Sequence, residues 1–399
     1  MLGIRTAFRN CFENGQISCR YAVMRLEQRL RKPQAGRREI LFFLGGDTLD
    51  FDDGRNAYLA LSLFDEAGYN VYLYPKKYMD LPSYRAMGYC AQRALDMKSV
   101  KLLDRLPDGT GTMCLATDGP DIGDEVPKRS WKRWVFLNFL KSSKLNLGEA
   151  VQMPYSMHPR IHSDGSRADL GRWRRNKRTM RLFFVGNTSE VYYDSPAIRQ
   201  QGALSRLEAL RALKGHPGPL ERITDAGAFE KRMKDPRYFS GGVLVETGFF
   251  RIAPSRWLET LSRSDFFLCL SGTDYPMCHN AIEAMAVGSV PVTGYADWFD
   301  PPLEHGKNAV IFSGTEDLKE KVKSVLEMPE EKIAEMRRNA ADYYDRHLSA
   351  KSFIRRFEAM PEAPGTLILF PMYRAEATAQ ELASSKELKA HLAGQKHAE

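Results

Sequence analysis

One carboxylate, Glu283, stands near the start of a predicted helix, after a loop that follows a buried strand. The stretch from Trp257 to Val292 has the order helix, strand, loop, helix, strand. That order places the loop and the helix N-terminus at the carboxyl edge of a parallel sheet, where backbone N–H groups and the helix dipole favour a phosphate. The pattern therefore predicts a nucleotide site. In it, Glu283 either accepts hydrogen bonds from ribose hydroxyls or only favours the dipole of its own helix.

Hydrogen-bond donors for the phosphates are expected in the loop and the first helical turn. These candidates are Ser271, Gly272, Thr273, His279 and Asn280. An earlier strand ends at Gly186 and Asn187, where a small residue lets backbone approach a ligand. Arg181, Arg237 and Arg251 are basic candidates for the phosphate charge, and the sequence does not rank them.

Groups for acid and base chemistry are expected in the first half of the chain, at strand ends. Asp47 follows Gly45 and Gly46, Asp118 follows another strand, and His158 stands in a proline-flanked segment. If a hydroxyl attacks with inversion, one of these three must lie within hydrogen-bond reach of it as a base. The glycine pair either lets backbone pass close to a ligand or forms an ordinary turn.

The elements that must position these groups alternate between strands and helices twice along the chain. Predicted strands cover 40–44, 70–74, 112–117, 180–185, 243–247, 266–270, 290–293 and 309–312, and predicted helices include 57–67, 84–96, 196–213 and 334–346. The pattern predicts two Rossmann-like, doubly wound α/β domains facing a cleft, at 39–153 and 179–346. Residues 154–178 are predicted to be a basic linker, and 347–399 a helical crossover segment and tail.

Composition restricts the class of protein. The 399 residues are 43% hydrophobic and 27% charged, which is typical of a soluble protein with more than one domain. The apolar runs are too short for a membrane span, and the first residues lack the apolar core of a signal peptide, so we expect a cytoplasmic protein.

Six scattered cysteines argue against a disulfide framework and a zinc site. Asp274 has no second Asp spaced to share an ion, so no obligatory metal or other cofactor is predicted.

The N-terminal segment 1–38 is strongly basic and amphipathic. It holds nine Arg and Lys residues against Glu13 and Glu27, a net charge of +7. Ile4, Phe8 and Phe12 recur at helical spacing beside these basic groups. The pattern predicts that residues 1–31 lie on an anionic membrane surface, which would make the protein peripheral to the membrane. The alternative is a basic arm that packs on its own domain.

The region from 257 to 308 resembles the C-terminal donor-binding region of exostosin-like glycosyltransferases. The resemblance is carried by Trp257-Leu258-Glu259, Leu261, Arg263-Ser264-Asp265-Phe266, Leu268-Cys269, Gly272, Glu283-Ala284, Gly288 and Val290-Pro291-Val292. The Glu-Ala-Met-Ala-x-Gly-x-x-Pro-Val part, read on to Leu303-Glu304-His305-Gly306 and Asn308, is similar to the wider GT-B nucleotide-sugar transferases. The resemblance implies a nucleoside diphosphate sugar as co-substrate. It also implies hexosyl or related transfer to an acceptor hydroxyl, on a glycan or a membrane-associated saccharide.

Two positions depart from the family pattern. Retaining members often have a glutamate eight positions before the equivalent of Glu283, where this chain has Tyr275. Exostosin-like members tend to have an arginine three positions before it, where this chain has Asn280 next to His279. His279 either takes over the phosphate contact of that arginine or, with Asn280, caps the helix.

Two other classes of protein are considered. A dinucleotide-dependent oxidoreductase shares the architecture, but no Gly-x-Gly-x-x-Gly follows a predicted first strand. A nucleic-acid-binding protein would use basic residues interleaved with tryptophans: Lys128, Arg129, Lys132, Arg133, the cluster from Arg172 to Arg178, Trp131, Trp134 and Trp173. An α/β core with a nucleotide-type loop favours a plain charged face instead, so no nucleic-acid partner is expected.

Overall fold

The computed structural model describes residues 2–44, 49, 51–75, 80–97, 99–107, 112–117, 131–138, 150–155, 157–163, 169–194, 196–273, 275–360 and 366–369. The chain divides into two compact units. Unit 1 extends to Met153 and takes up the chain again at Phe353, and unit 2 extends from Pro154 to Ser352. Each unit has a parallel sheet with its first strand in the interior, which confirms the predicted doubly wound α/β class.

The strands described are β1 (Glu39–Leu44), β2 (Asn70–Pro75), β3 (Val100–Leu102), β4 (Cys114–Thr117), β5 (Arg133–Asn138), β6 (Ala150–Gln152), β7 (Met180–Gly186), β8 (Leu220–Ile223), β9 (Phe239–Glu246), β10 (Ser264–Cys269), β11 (Val290–Thr293), β12 (Val310–Ile311) and β13 (Thr366–Leu369). The α-helices described are α1 (Leu2–Leu30), α2 (Arg55–Glu66), α3 (Leu81–Ala86), α4 (Tyr89–Asp96), α5 (Pro159–Ser163), α6 (Leu170–Arg175), α7 (Glu190–Tyr193), α8 (Pro196–Gln200), α9 (Arg206–Leu213), α10 (Ala226–Lys234), α11 (Pro254–Leu261), α12 (His279–Ala286), α13 (Gly314–Glu327), α14 (Glu330–Tyr343) and α15 (Ala350–Ala359). Short 3-10 segments lie at Phe51–Gly54 and Ala296–Trp298, and a π-helical turn at Tyr344–Leu348 follows α14.

The unit 1 sheet has the described strand order β3-β2-β1-β4-β5-β13-β6, all parallel. Its core is apolar and aromatic: Phe64 of α2 packs edge to face against Phe357 of α15, with ring centroids 4.9 Å apart. The Arg133 guanidinium donates to the carbonyls of Phe357 and Met360 at the end of α15. The last carbonyls of a helix lack i+4 partners within it, so the arginine supplies donors there and fixes the returning chain against the sheet.

The C-terminal half of α1 is an integral part of unit 1. Met24 and Gln28 are buried. The Gln28 amide donates to the carbonyls of Leu95 (3.1 Å) and Val100 (3.0 Å) and accepts from the Leu102 N–H (2.8 Å). The alternative of a basic arm packed on its own domain therefore holds for this half. The side chains of Ile4, Phe8 and Phe12, on which the membrane prediction depends, lie outside the described residues.

The unit 2 sheet has the described order β12-β11-β10-β7-β9-β8, again all parallel. The prediction of a linker at 154–178 was wrong for most of that range. Tyr155 and Met157 are buried, and the segment contributes α5 and α6 to unit 2. Arg174 and Arg178 bind the carbonyls of Ala286 (2.8 Å) and Val287 (2.9 Å) at the end of α12. Two arginines of the basic cluster are thus bound to backbone inside unit 2.

The predicted helix 196–213 was wrong as a single helix because of local capping. It is divided into α8 and α9: Gly202 adopts a φ of 73°, and Ser205 with Glu208 forms a capping box that begins a new helix. None of the described helices is both long and apolar enough to cross a membrane.

Candidate functional site

The central strands of unit 2, β7 and β10, are adjacent, and the chain leaves them toward opposite sides of the sheet. In parallel α/β sheets such a switch point leaves a ligand-binding crevice at the carboxyl ends of the strands. Gly186 ends β7, Ser271 lies two residues after β10, and α12 then begins at His279. The predicted sequence of strand, loop and helix is therefore confirmed at the position where a ligand is expected.

A buried arginine that the sequence analysis missed connects the two strand ends. Arg206 donates to the carbonyl of Asn187 (2.9 Å) and to the carbonyl of Ser271 (3.0 Å) and is only 4% exposed. Its guanidinium carbon lies 4.0 Å from the ring centroid of Tyr193. The capping box around Ser205 was the available signal, because it places the next residue at a helix N-terminus near the carboxyl edge.

Two of the predicted glycines are required by close contacts. A Cβ atom at Gly186 would lie 2.9 Å from Cζ of Phe184 and 3.1 Å from Nη1 of Arg206. A Cβ atom at Gly272 would lie 2.7 Å from the carbonyl oxygen of Tyr275. The room at Gly186 was predicted to admit a ligand, whereas in the structure it accommodates the Arg206 guanidinium.

The start of α12 has the features of an anion site. Its N-cap is Cys278, which makes no side-chain capping bond, so the alternative in which His279 and Asn280 cap the helix is not observed. Both side chains are partly exposed, as is Thr273 in the preceding loop. The Ser271 hydroxyl donates to the Leu204 carbonyl (2.8 Å) and so holds the loop against the segment before α9. First-turn N–H groups and a nearby buried cation together favour a phosphate.

Glu283 lies one turn into α12, as predicted, but its carboxylate is enclosed. It is 0% exposed, and its two oxygens accept from the backbone N–H of His158 (2.8 Å) and from Nε1 of Trp257 (2.6 Å). Burial raises the pKa of Glu283, while His279 and the two donors oppose that rise. The His158 backbone and the Trp257 indole thus occupy both carboxylate oxygens, and ribose binding by Glu283 stays a prediction.

His158 is brought next to the predicted phosphate-side residues. Its ring centroid lies 5.0 Å from that of His279. Its Nδ1 accepts from the backbone N–H of Arg160 (3.1 Å), so the neutral ring carries its proton on Nε2. A ring in that tautomer donates from Nε2 and cannot accept a proton there. The geometry therefore favours His158 as a hydrogen-bond donor through Nε2, and its role as a base stays a prediction.

The three arginines predicted for phosphate charge lie in different surroundings. Arg181 is at the amino end of β7 and donates to the carbonyls of Val325 (3.1 Å) and Met328 (2.7 Å), so it was a wrong candidate. Arg237 is exposed and paired with Asp235 (2.7 Å). Arg251 is exposed in the segment that follows β9 and so stays a prediction.

Several predicted site residues lie outside the described residues: Gly45, Gly46, Asp47 and Asp118, together with Asp274. Their predicted roles stay predictions. Within the part of the chain that the structure describes, no three His, Cys, Asp or Glu side chains stand close enough to hold a metal ion together.

The class of protein that this geometry defines is a parallel α/β protein with a ligand crevice at a switch point. A family model described as glycosyl transferase-like matches residues 199–361. The matched region is thus glycosyltransferase-like, and it contains Arg206, His279 and Glu283. No curated protein matches the chain in sequence.

Three of the solved structures to which the chain is similar are the following. A glycosyltransferase from Rickettsia africae ESF-5 has 8% identity and a TM-score of 0.43, with 81% of this chain and 97% of that chain covered. Anabaena Alr3699/HepE in complex with UDP and glucose has 10% identity and a TM-score of 0.42, with coverage of 80% and 98%. An alpha-glucosyltransferase in complex with UDP and a 13-mer DNA containing an HMU base has 14% identity and a TM-score of 0.38, with coverage of 81% and 99%.

Proposed function

We propose that the protein is a cytoplasmic glycosyltransferase that moves a sugar from a nucleoside diphosphate sugar to an acceptor hydroxyl. The glycosyl transferase-like match over 199–361 supports the reaction class. The resemblance of 257–308 to exostosin-like donor-binding regions supports a hexosyl or related donor. A glycan or membrane-associated saccharide is the proposed acceptor.

The observation that carries this proposal is the position of Arg206. Its charge is buried at the switch point and bound to two carbonyls, and the N-terminus of α12 lies across the same crevice. A buried cation and a helix N-terminus both attract negative charge, and a leaving nucleoside diphosphate develops negative charge as the glycosidic bond breaks. We assign the diphosphate to this crevice.

The neighbouring histidines supply hydrogen bonds to the same charge. His279 is the first residue of α12, and His158 presents an Nε2–H donor 5.0 Å away from it, measured between ring centroids. We assign both rings to the diphosphate. In this arrangement Glu283 positions them, because its carboxylate joins the His158 backbone to α12. Ribose binding by Glu283 remains part of the proposal and requires the exchange of one of its two hydrogen bonds.

The acceptor-side groups come from unit 1 in this proposal. Asp47 and Asp118 are the proposed bases, and Gly45 and Gly46 the close backbone approach. If the reaction retains configuration at the sugar carbon, no such base is required. The donor site would be the same in either case, so the donor is the better target for a first experiment.

A thermal-shift panel of nucleoside diphosphates and nucleoside diphosphate sugars tests the donor site. A ligand present at 100 times its dissociation constant stabilises the folded protein by about 2.7 kcal/mol. We expect one nucleotide series to give this stabilisation in the wild type, and His279→Ala to reduce the affinity measured by calorimetry. Lys214→Ala, an exposed substitution outside the crevice, serves as the control.

Two further outcomes separate the roles of Glu283. If Glu283 only positions the histidines, Glu283→Gln lowers the affinity for nucleoside diphosphates with ribose and for those with 2′,3′-dideoxyribose by the same factor. If it binds ribose, the variant loses affinity only for the ribose series. The absence of any thermal shift across the panel would contradict the proposed function.

A further inference from the structure

The outward face of α1 carries an apolar stripe. Val23, Leu26 and Leu30 are 50%, 60% and 70% exposed and lie three and four residues apart, so they share one face of the helix. Cys19, one turn earlier, is also exposed. The opposite face holds the buried Met24 and Gln28. The stripe is therefore a surface feature of a helix that is firmly attached to unit 1.

A basic cavity of about 60 Å³ begins one residue after this stripe. Its charged lining residues are all cations: Arg31, Lys32, Arg37 and Lys101. Asn70 holds the lining loop in place, because its side chain donates to the Gln34 carbonyl (2.9 Å) and accepts from the Gln34 N–H (3.0 Å). The cavity thus has a fixed wall and a concentrated positive charge.

Three carboxylates bond to lining residues other than Lys32, Arg37 and Lys101. Glu39 accepts from the Tyr72 hydroxyl (2.7 Å), Glu358 accepts from the Tyr69 hydroxyl (2.6 Å), and Glu27 pairs with Arg31 (3.2 Å). Arg31 also donates to the carbonyls of Met97 and Val100, both at 2.6 Å. The charge of Lys32, Arg37 and Lys101 is therefore available to an external anion that carries more than one negative charge, such as a phosphate group.

We propose that the stripe on α1 and the adjoining basic cavity bind an anionic membrane surface, with a lipid phosphate in the cavity. Apolar side chains enter the boundary between headgroups and acyl chains, and cations bind the negative headgroups. A second copy of this chain is a poorer occupant, because it would bring a like-charged cavity and the stripe is small compared with a stable dimer interface of roughly 800 Å² per partner.

Point substitutions test the proposal without removing α1, whose Gln28 binds the rest of unit 1. The assay is co-sedimentation of the full chain with vesicles of phosphatidylglycerol and phosphatidylcholine. Lys32→Ala, Arg37→Ala and Lys101→Ala combined should lower the partition coefficient by more than about tenfold, since each basic residue near an anionic surface contributes about 1 kcal/mol. Leu26→Ser with Leu30→Ser should also reduce binding. Circular dichroism melting checks that both variants fold.

A charge-matched control is available in unit 2. Lys214→Ala, Lys234→Ala and Lys323→Ala remove three exposed cations and should leave vesicle binding close to that of the wild type. An equal loss in the control would overturn the proposal in favour of unspecific charge attraction. Equal binding to phosphatidylcholine alone would also overturn it, as would binding of inorganic phosphate by calorimetry without vesicle binding. The assay needs neither nucleotide nor sugar, so its result is independent of the proposed transferase reaction.

Discussion

The two edges of the unit 2 sheet use buried arginines in different ways. At the amino edge, Arg178 donates to the carbonyls of Ser262, Val287 and Gly288, at the ends of α11 and α12, and Arg181 binds the end of α13. A helix C-terminus carries partial negative charge, so each of these cations lies beside a charge of opposite sign. At the carboxyl edge, Arg206 lies near the start of α12, where the partial charge is positive. The same residue type is thus surrounded by partial charges of opposite sign at the two edges of the sheet.

A buried carboxylate, that of Asp265, also lies among the arginines at the amino edge. Arg181 donates to the Tyr238 hydroxyl, that hydroxyl donates to Asp265 (2.7 Å), and Arg337 lies 3.4 Å from the same carboxylate. Burial raises the pKa of Asp265, and burial together with Arg337 lowers the pKa of Arg178 to about 9. These opposite shifts show how strongly the edge is removed from water. The Asp265 carboxylate and the carbonyls at the helix C-termini thus serve as the partners of these guanidinium groups.

The largest expected effect tests the amino edge. Arg178→Met removes hydrogen bonds to three carbonyls: those of Ser262 and Val287 lose the Arg178 donor, while that of Gly288 keeps Arg337 as a donor (3.3 Å). Hydrogen bonds to charged groups are worth about 1.5–3 kcal/mol each. We expect unit 2 to lose about 3–5 kcal/mol of unfolding free energy, with nucleotide affinity unchanged where the protein is folded. Urea unfolding followed by hydrogen exchange measures the loss in unit 2. Arg172→Met, at an exposed position on α6, is the control, and an equal loss there would break the comparison.

The second prediction concerns the carboxyl edge. Arg206→Met removes two hydrogen bonds to carbonyls, so we expect a loss of about 2–4 kcal/mol and, in addition, loss of nucleoside diphosphate binding. Calorimetry below the melting temperature separates the two effects. The exposed Arg211 on the same helix provides the matched variant Arg211→Met, which should change neither quantity appreciably. Retained nucleotide affinity in Arg206→Met would show that both edges are only structural.

A smaller effect is expected at the strand end that faces Arg206. Gly186→Ala forces a methyl group against Phe184 and the guanidinium, and overpacking of this kind costs about 1–3 kcal/mol. Because the guanidinium must move, nucleotide affinity should fall with stability. Gly248→Ala, whose added Cβ would meet no atom within 4 Å, should leave both unchanged. A shift in stability alone would place Arg206 outside the binding site.

The smallest effect is a pH dependence at the carboxyl edge. His305 Nδ1 accepts from the N–H of Ile311 in β12 (2.9 Å), and burial, with Lys321, lowers the pKa of His305 from 6.5. The unfolded chain therefore binds a proton more readily, and the contribution of His305 to stability is lost as pH falls below 6.5 through the folded-state value. Melting temperatures between pH 7.5 and pH 5 should fall more steeply in the wild type than in His305→Asn. The same slope of melting temperature against pH in both proteins would contradict a contribution of His305 to this pH dependence.

Much of the fold could be predicted because buried strands and amphipathic helices have strong local patterns. The strand at Val290–Thr293 was predicted with its observed bounds, and β1, β2 and β7 within a residue at either end. By contrast, β13 is inserted between β5 and β6, more than two hundred residues away in sequence. No local signal reveals such a pairing, and the range 347–399 was predicted as a helical crossover segment and tail without a strand. The division of the helix at Gly202 was visible in the capping box but was overlooked.

In the site, too, some features could be predicted from the sequence and others could not. The loop after β10 and the carboxylate one turn into α12 follow from the order of elements, since parallel strands must end at one edge. The enclosure of Glu283 by His158 and Trp257 does not follow, because these residues are separated from it by 125 and 26 positions. The tautomer of His158 likewise depends on a backbone N–H whose direction only the folded chain defines.

By itself, the sequence determined the class of fold and the edge of the sheet at which a ligand would be expected, because both depend on periodicity and on chain direction. Only the tertiary structure decided which cations lie at that edge and which lie at the opposite one. Arg181 and Arg206 are the same residue type in the same unit, and each donates to two carbonyls. The helix termini that surround them differ in the sign of their partial charge, and that sign is a property of packing.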